Sequence, residues 1–265
     1  MKEELESTII KEMEKTKNKL FLSVIIPCYN EEKNLKRGVL DEVEDYLQKQ
    51  KFESEVIVSD DESTDKSRKF VKDYVKKHPR FKLLENKHAG KPFAVRSGIE
   101  KAKGEVVLFT DMDQSAPIKE FDKFLPFFQK GFEVVIGSRG QKREGFSLVR
   151  LIGSNVFRLI RQKLLLKKII DTQCGFKAFK NQVARDLFSR LLIFKEAKKT
   201  KGWKVGAFDV ELLFIAQKKG YRMGEVVIDW VDKDSGKERK YFKESKEMLM
   251  EILRVKLNDL KKKYD

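Results

Sequence analysis

Cysteine and histidine are scarce in this 265-residue chain, which holds Cys28 and Cys174, His78 and His88, and no others. There is no CxxC pair and no histidine cluster. That excludes a disulfide framework, a Cys-rich zinc site and a multi-His metal centre, and makes a reducing compartment the expectation. Proline numbers only five, and no Pro/Gly/Ser linker interrupts the chain. One continuous domain is expected. No run reaches the roughly 18 apolar residues of a membrane span. The opening MKEELESTIIKEMEK is polar and acidic, without the apolar centre of a signal peptide. The expected location is cytoplasmic, either soluble or peripheral on the cytoplasmic face of a membrane.

Positive charge and phenylalanine are abundant. Twenty Phe argue for a packed core, and 58 Lys+Arg against 42 Asp+Glu leave a net +16. So strong a field attracts polyanions: nucleic acid, an anionic membrane or a phosphorylated substrate. Residues 139–169 hold nine Lys/Arg and one acid, Glu144. At helical spacing Arg150, Ser154, Arg158, Arg161 and Lys168 share one stripe. Ile152, Val156, Leu159, Leu166 and Ile170 share another. A basic amphipathic helix of this kind can lie on an anionic bilayer, or pack its apolar stripe on the core. Nucleic-acid readers interleave aromatics with cations. Here Phe146 and Phe157 stand in an otherwise aliphatic block, so nucleic acid is not expected as a partner.

Strand and helix alternate through the first 110 residues. Apolar runs at 20–27, 55–59, 81–84 and 105–110 read as strands, with helices expected over 31–50, 64–77 and 91–103. Further strands are expected over 133–137 and 224–230. Further helices are expected over 181–193, over 208–219 and from Lys243 onward, with a turn-like motif at 171–179. This is an α/β pattern with a mainly parallel sheet. In such sheets ligands sit beyond the carboxyl ends of the strands.

Three strand ends carry chemistry. Asp111-Met112-Asp113 can bind a hard cation, Mg²⁺ or Mn²⁺, through two carboxylates, with a nucleoside diphosphate completing the coordination; a solvated acidic turn is the plainer alternative. Asp60-Asp61-Glu62 offers carboxylates to a nucleobase N–H or a ribose hydroxyl, and Ser63 to Asp65 suit a helix cap. In Pro27-Cys28-Tyr29-Asn30-Glu31 a proline ends the strand and Tyr29 can pack on a base. Cys28 and Cys174 read as small buried residues.

VIIPCYNEEKNL, SDDESTD, HAGKPFAVRSGI and VLFTDMDQSAP, in that order and spacing, resemble the family-2 glycosyltransferases of GT-A fold. IGSRG at 136–140, DTQCGFKAF at 171–179 and residues 202–230 resemble the branch that charges polyprenyl phosphates, closer to its dolichyl-phosphate β-glucosyl members than to the mannosyl ones. The residues themselves predict a charged helical extension at 1–19 and a basic amphipathic helix over 236–265; the resemblance implies a GT-A catalytic domain over 20–235 between them. It implies nucleotide-sugar contacts from Pro27, Tyr29, Glu31, Ser59, Asp60, Asp61, Lys91, Arg96, Asp111, Met112, Arg139 and Lys237. Metal binding would fall to Asp111 and Asp113, and catalysis to Asp113 and Arg150; Asp171 and Asp209 are further catalytic candidates by their own chemistry. The substrates implied are UDP-glucose or GDP-mannose and a dolichyl or polyprenyl phosphate. Two departures stand out: Glu62 replaces a common glycine, and Gln114 sits one place before the mannosyl enzymes' metal-binding Gln.

A phosphate acceptor is largely a dianion near neutrality and needs no general base. It needs cations to hold it, and Arg forks fit phosphate geometry. Asp209 and Glu211 could serve as a base toward an alcohol, or simply sit at a helix start where the dipole favours acids. Asp171 either orients the Cys174-Gly175 turn or touches the acceptor.

Overall fold

The computed structural model describes residues 20–140, 165–166, 169–196, 208–231, 233 and 241–265. The expected extension at 1–19, most of the basic block, Arg150 and Lys237 lie outside the described residues.

Seven strands form one sheet in the order β3-β2-β1-β4-β6-β5-β7. They are β1 Leu20–Cys28, β2 Glu53–Asp60, β3 Phe81–Glu85, β4 Val106–Phe109, β5 Val134–Ser138, β6 Lys177–Lys180 and β7 Met223–Val227. All neighbours run parallel except β6, which is antiparallel to β4 and β5. The helices are α1 Glu32–Lys36, α2 Val39–Gln48, α3 Ser67–Val75, α4 Lys91–Lys101, α5 Leu125–Gln129, α6 Asn181–Arg190, α7 Ile193–Glu196, α8 Phe208–Lys218 and α9 Tyr241–Leu260, with a 3₁₀ turn at Ile118–Lys123.

The central strands are apolar along their length because both faces are covered. Alternation sends Leu22, Val24 and Ile26 of β1 to one side, with Val39 and Val43 of α2 and Val71 of α3. Ile25 points to the other side, toward Val95 of α4, Leu187 of α6 and Leu212 of α8. The result is a helix–sheet–helix sandwich. Ile252 and Val255 of α9 complete the second layer.

Three expectations need correction. The helix expected over 31–50 is two helices. Gly38 adopts φ 85°, a left-handed conformation that ends one helix and starts the next. Its apolar stripe Leu35, Val39, Val43 and Leu47 is still buried as one row. The turn-like 171–179 motif ends in a strand, β6. Four residues are too short a run to show a period, and the strand exists by pairing on both sides with β4 and β5. The strand expected over 224–230 ends at Val227, and the chain then crosses toward the DxD turn, where the Val231 N–H donates to the Ser115 carbonyl at 2.8 Å.

Candidate active site

β2 and β4 flank β1 on opposite sides and run parallel to it. Their carboxyl ends therefore open on one edge, where an α/β sheet binds ligands. The three motif-bearing loops converge there as the sequence implies.

The first two loops are laced together. Pro27 lies in register with Ser59, and Cys28 with Asp60. The Asn30 side-chain oxygen accepts from the Thr64 and Asp65 backbone N–H groups at 2.8 and 3.2 Å. The Glu31 N–H donates to Ser67 Oγ at 2.7 Å, and the Glu31 carboxylate accepts from Asn34 at 2.6 Å. Ser59 Oγ donates to the Ala94 carbonyl at 2.7 Å, tying β2 to α4.

The adjacent Asp60 and Asp61 have different roles. Asp60 is fully buried and bound by the Arg68 guanidinium at 2.9 and 3.0 Å. Asp61 is equally buried. Its two oxygens accept from the Ala89 and Gly90 N–H groups at 2.9 and 2.8 Å, and His88 Nδ1 lies 2.8 Å away. Burial raises its pKa above the usual carboxylate range against the pull of those donors. His88 in turn stacks on Tyr29, ring centres 4.6 Å apart. Sequence reading missed His88, because nothing near it in the chain announces a partner at positions 29 and 61.

Within the DxD turn the side chains divide. Met112 is buried in the core below, whereas Asp111 and Asp113 are partly exposed. Asp113 accepts from the Ser115 N–H at 2.8 Å, and its carbonyl accepts from Arg37 at 2.6 Å. Arg37 is a second residue absent from the sequence expectations. Gln114 takes a left-handed conformation, φ 48°, and its amide nitrogen donates to the Asp111 carbonyl at 2.9 Å. Its buried Oε1 has no hydrogen-bond partner. Lys91 Nζ donates to Asp111 Oδ1. Burial lowers the Lys91 pKa, but Asp111, with Asp209 and Asp113, outweighs burial and raises it.

The far side of the crevice is built from ion pairs. Arg139, at the end of β5, makes a two-pronged contact with Asp171 at 2.7 and 2.9 Å, and its guanidinium lies over Trp230. Burial opposes charge on Asp171, yet the Arg139 bonds hold its carboxyl well below the usual range. Asp171 is thus a partner of Arg139. Lys177 of β6, fully buried, donates to Asp209 Oδ1 at 2.7 Å and to the Cys174 carbonyl. Lys177 was also missed. Glu211 points away: its oxygens accept from the Leu192 N–H, Tyr264 and Arg254. Arg96 pairs with Glu100 along the exposed side of α4 and covers the Phe194 ring. The two thiols are inert, since burial raises Cys28 and pushes Cys174 up to about 11.

Asp111 and Asp113 are hard oxygen donors, both partly exposed at the end of β4. This donor set fits Mg²⁺ or Mn²⁺ held by one or two carboxylates with ligand oxygens. Among the described residues no group of three or more His, Cys, Asp or Glu is placed to form a protein-only cage.

Comparison with known proteins agrees with this arrangement. The chain is 34% identical over 258 residues to a dolichyl-phosphate beta-glucosyltransferase of Dictyostelium discoideum, covering 91% of this chain and 75% of that protein. It is 33% identical to the Homo sapiens protein of the same name, covering 82% and 69%. Two solved structures share the fold: mannosyl-3-phosphoglycerate synthase from Rubrobacter xylanophilus, and glucosyl-3-phosphoglycerate synthase from Mycobacterium tuberculosis with Mn²⁺, UDP and glucosyl-3-phosphoglycerate. The first has TM-score 0.62 and 14% identity over 92% of this chain and 75% of that one. The second has TM-score 0.60 and 18% identity over 94% and 83%. The sheet and its flanking helices are thus a GT-A fold. Residues 23–188 match the glycosyl transferase family 2 profile, and the chain belongs to that family.

Proposed function

We propose that this chain transfers glucose from UDP-glucose to dolichyl or polyprenyl phosphate, inverting the anomeric carbon. The observation that carries this reading is the pairing of the candidate bases. Asp171 is held by Arg139 and Asp209 by Lys177. The Arg139 bonds hold the Asp171 carboxyl well below its usual range, which makes it a poor proton acceptor. An alcohol acceptor would need such a base, whereas a phosphate brings its own nucleophilic oxygen. The relatives named above act on dolichyl phosphate by their names, which supports the same acceptor.

Tyr29, Glu31 and Asp61 would hold the nucleoside, and Lys91 and Arg139 the phosphates, together with Arg150 and Lys237. Asp111 and Asp113 would hold Mg²⁺ or Mn²⁺. Such a cation, when bound, supplies positive charge to a leaving diphosphate. The domain division stays as the sequence implies: catalytic over 20–235, with a basic helix after it.

The proposed setting is the face of an anionic membrane. α9 buries Ile252 and Val255 on one side. Met250, Leu253, Leu257 and Leu260 form an exposed stripe on another, from 41% to 67% exposed. A helix apolar on two sides needs a second cover, and Lys261, Lys262 and Lys263, directly after its last turn, suit an anionic bilayer. No described helix is long and apolar enough to cross a membrane.

The test is transfer from a panel of labelled nucleotide sugars to polyprenyl phosphate. Glucose from UDP-glucose is expected. Mannose from GDP-mannose would replace the donor, and transfer only to glycan hydroxyls would overturn the acceptor. Sedimentation with vesicles checks the setting, since equal binding to neutral and anionic vesicles at low salt contradicts it.

A further inference from the structure

Lys91 is the first residue of α4 and is only 9% exposed. The start of a helix is the positive end of its dipole and disfavours a cation. A buried ammonium persists only against carboxylates. Lys91 is therefore held where it is by the acids around it, chiefly Asp111, with Asp209 and Asp113 adding to the negative potential. Asp209 already has a partner in Lys177. On its other side the Asp111 carboxylate lies against the bare Cα of Gly175, where an added Cβ would stand 2.1 Å from Oδ2. A cation that approaches Asp111 thus meets an ammonium already seated on the same carboxylate.

We propose that Lys91 is a resident counter-ion that competes with a divalent cation for Asp111 and passes its ammonium to the donor's diphosphate when nucleotide binds. The inference rests on Asp111 being a metal ligand, as proposed above. It makes metal and nucleoside diphosphate cooperative. The diphosphate offers Lys91 another anion and frees the Asp111 oxygen, and by linkage each ligand then tightens the other equally.

The test is Mn²⁺ binding followed by the electron paramagnetic resonance of free Mn²⁺, with and without UDP, and with no sugar donor or acceptor present. In the native chain UDP is expected to tighten Mn²⁺ by about tenfold or more. Lys91→Met is expected to bind Mn²⁺ alone about tenfold more tightly, with the UDP effect reduced to what the diphosphate's own coordination of the ion supplies. Lys91→Arg keeps the charge and should match the native chain. Circular dichroism confirms folding, and Lys91→Gln replaces Lys91→Met if the latter does not fold. Mn²⁺ binding to the folded neutral variant that is no tighter than to the native chain overturns the proposal, as does absence of Mn²⁺ binding from both. Transfer does not enter this readout. Mn²⁺ exchange without glucose transfer would sink only the activity reading, and transfer with equal Mn²⁺ affinities would sink only the role of Lys91.

Discussion

The two halves of the sheet handle charge differently. In the parallel half, β3-β2-β1-β4, the partly exposed carboxylates Asp111 and Asp113 stand just beyond a strand end, on the crevice edge, while Asp61 is buried on backbone donors. In the mixed half, β6-β5-β7, the charges neutralise one another: Arg139 with Asp171, Lys177 with Asp209, and, behind them, Glu211 with Arg254. The parallel half presents charge to a ligand, and the mixed half orders cations and side chains around it. Asp60 and Asp111 show that the division is not absolute, since Arg68 and Lys91 pair with them within the parallel half.

Four perturbations test that contrast. Asp113→Ala should have the largest effect, lowering transfer by about 10²-fold or more while circular dichroism stays native. Full activity would remove the DxD from the chemistry and erase the distinction. Glu211→Ala, in the mixed half, should act on stability. Removing this buried carboxylate leaves the Leu192 N–H and the Tyr264 hydroxyl without their acceptor, at about 1–3 kcal/mol each, read from urea unfolding. A weakened UDP affinity with unchanged stability would reverse its assignment. Gly175→Ala joins the halves, because its methyl would collide with Asp111. A stability loss of about 1–3 kcal/mol is expected, together with weaker Mn²⁺ binding. If stability alone falls, the contact is only packing.

The smallest effect concerns acid. The folded pKa of Asp171 lies below its unfolded value of about 3.9. The stability that its ionised form contributes is therefore fully present above that value and is lost as pH falls through the folded pKa. The difference between native chain and Asp171→Asn should stay constant from pH 7 to about 5 and shrink only below about pH 4. A difference that already fades near pH 6 would contradict the pairing.

Much of the parallel half is legible in the chain because its signals are local. A buried strand is an apolar run, and the functional acids follow it within a few residues, as in VLFTDMD. Gly38 is the exception: a glycine inside a regular apolar stripe does not reveal a left-handed φ. The mixed half is hardly legible. β6 is four residues long, and Lys177 looks like any surface lysine until β4, β5 and α8 enclose it. Arg150, Lys237 and the basic stripe lie outside the described residues.

Hydrophobic periodicity and turn chemistry act between neighbours along the chain. The sequence by itself therefore determined the α/β alternation, the family and the three loaded strand ends. Burial and Coulomb interactions depend on separation in space. Only the tertiary structure could decide that Asp60 is neutralised while its neighbour Asp61 takes backbone donors, that Lys91 reaches Asp111 across 20 residues, that Arg139 reaches Asp171 across 32, and that Glu211 reaches Tyr264 across 53.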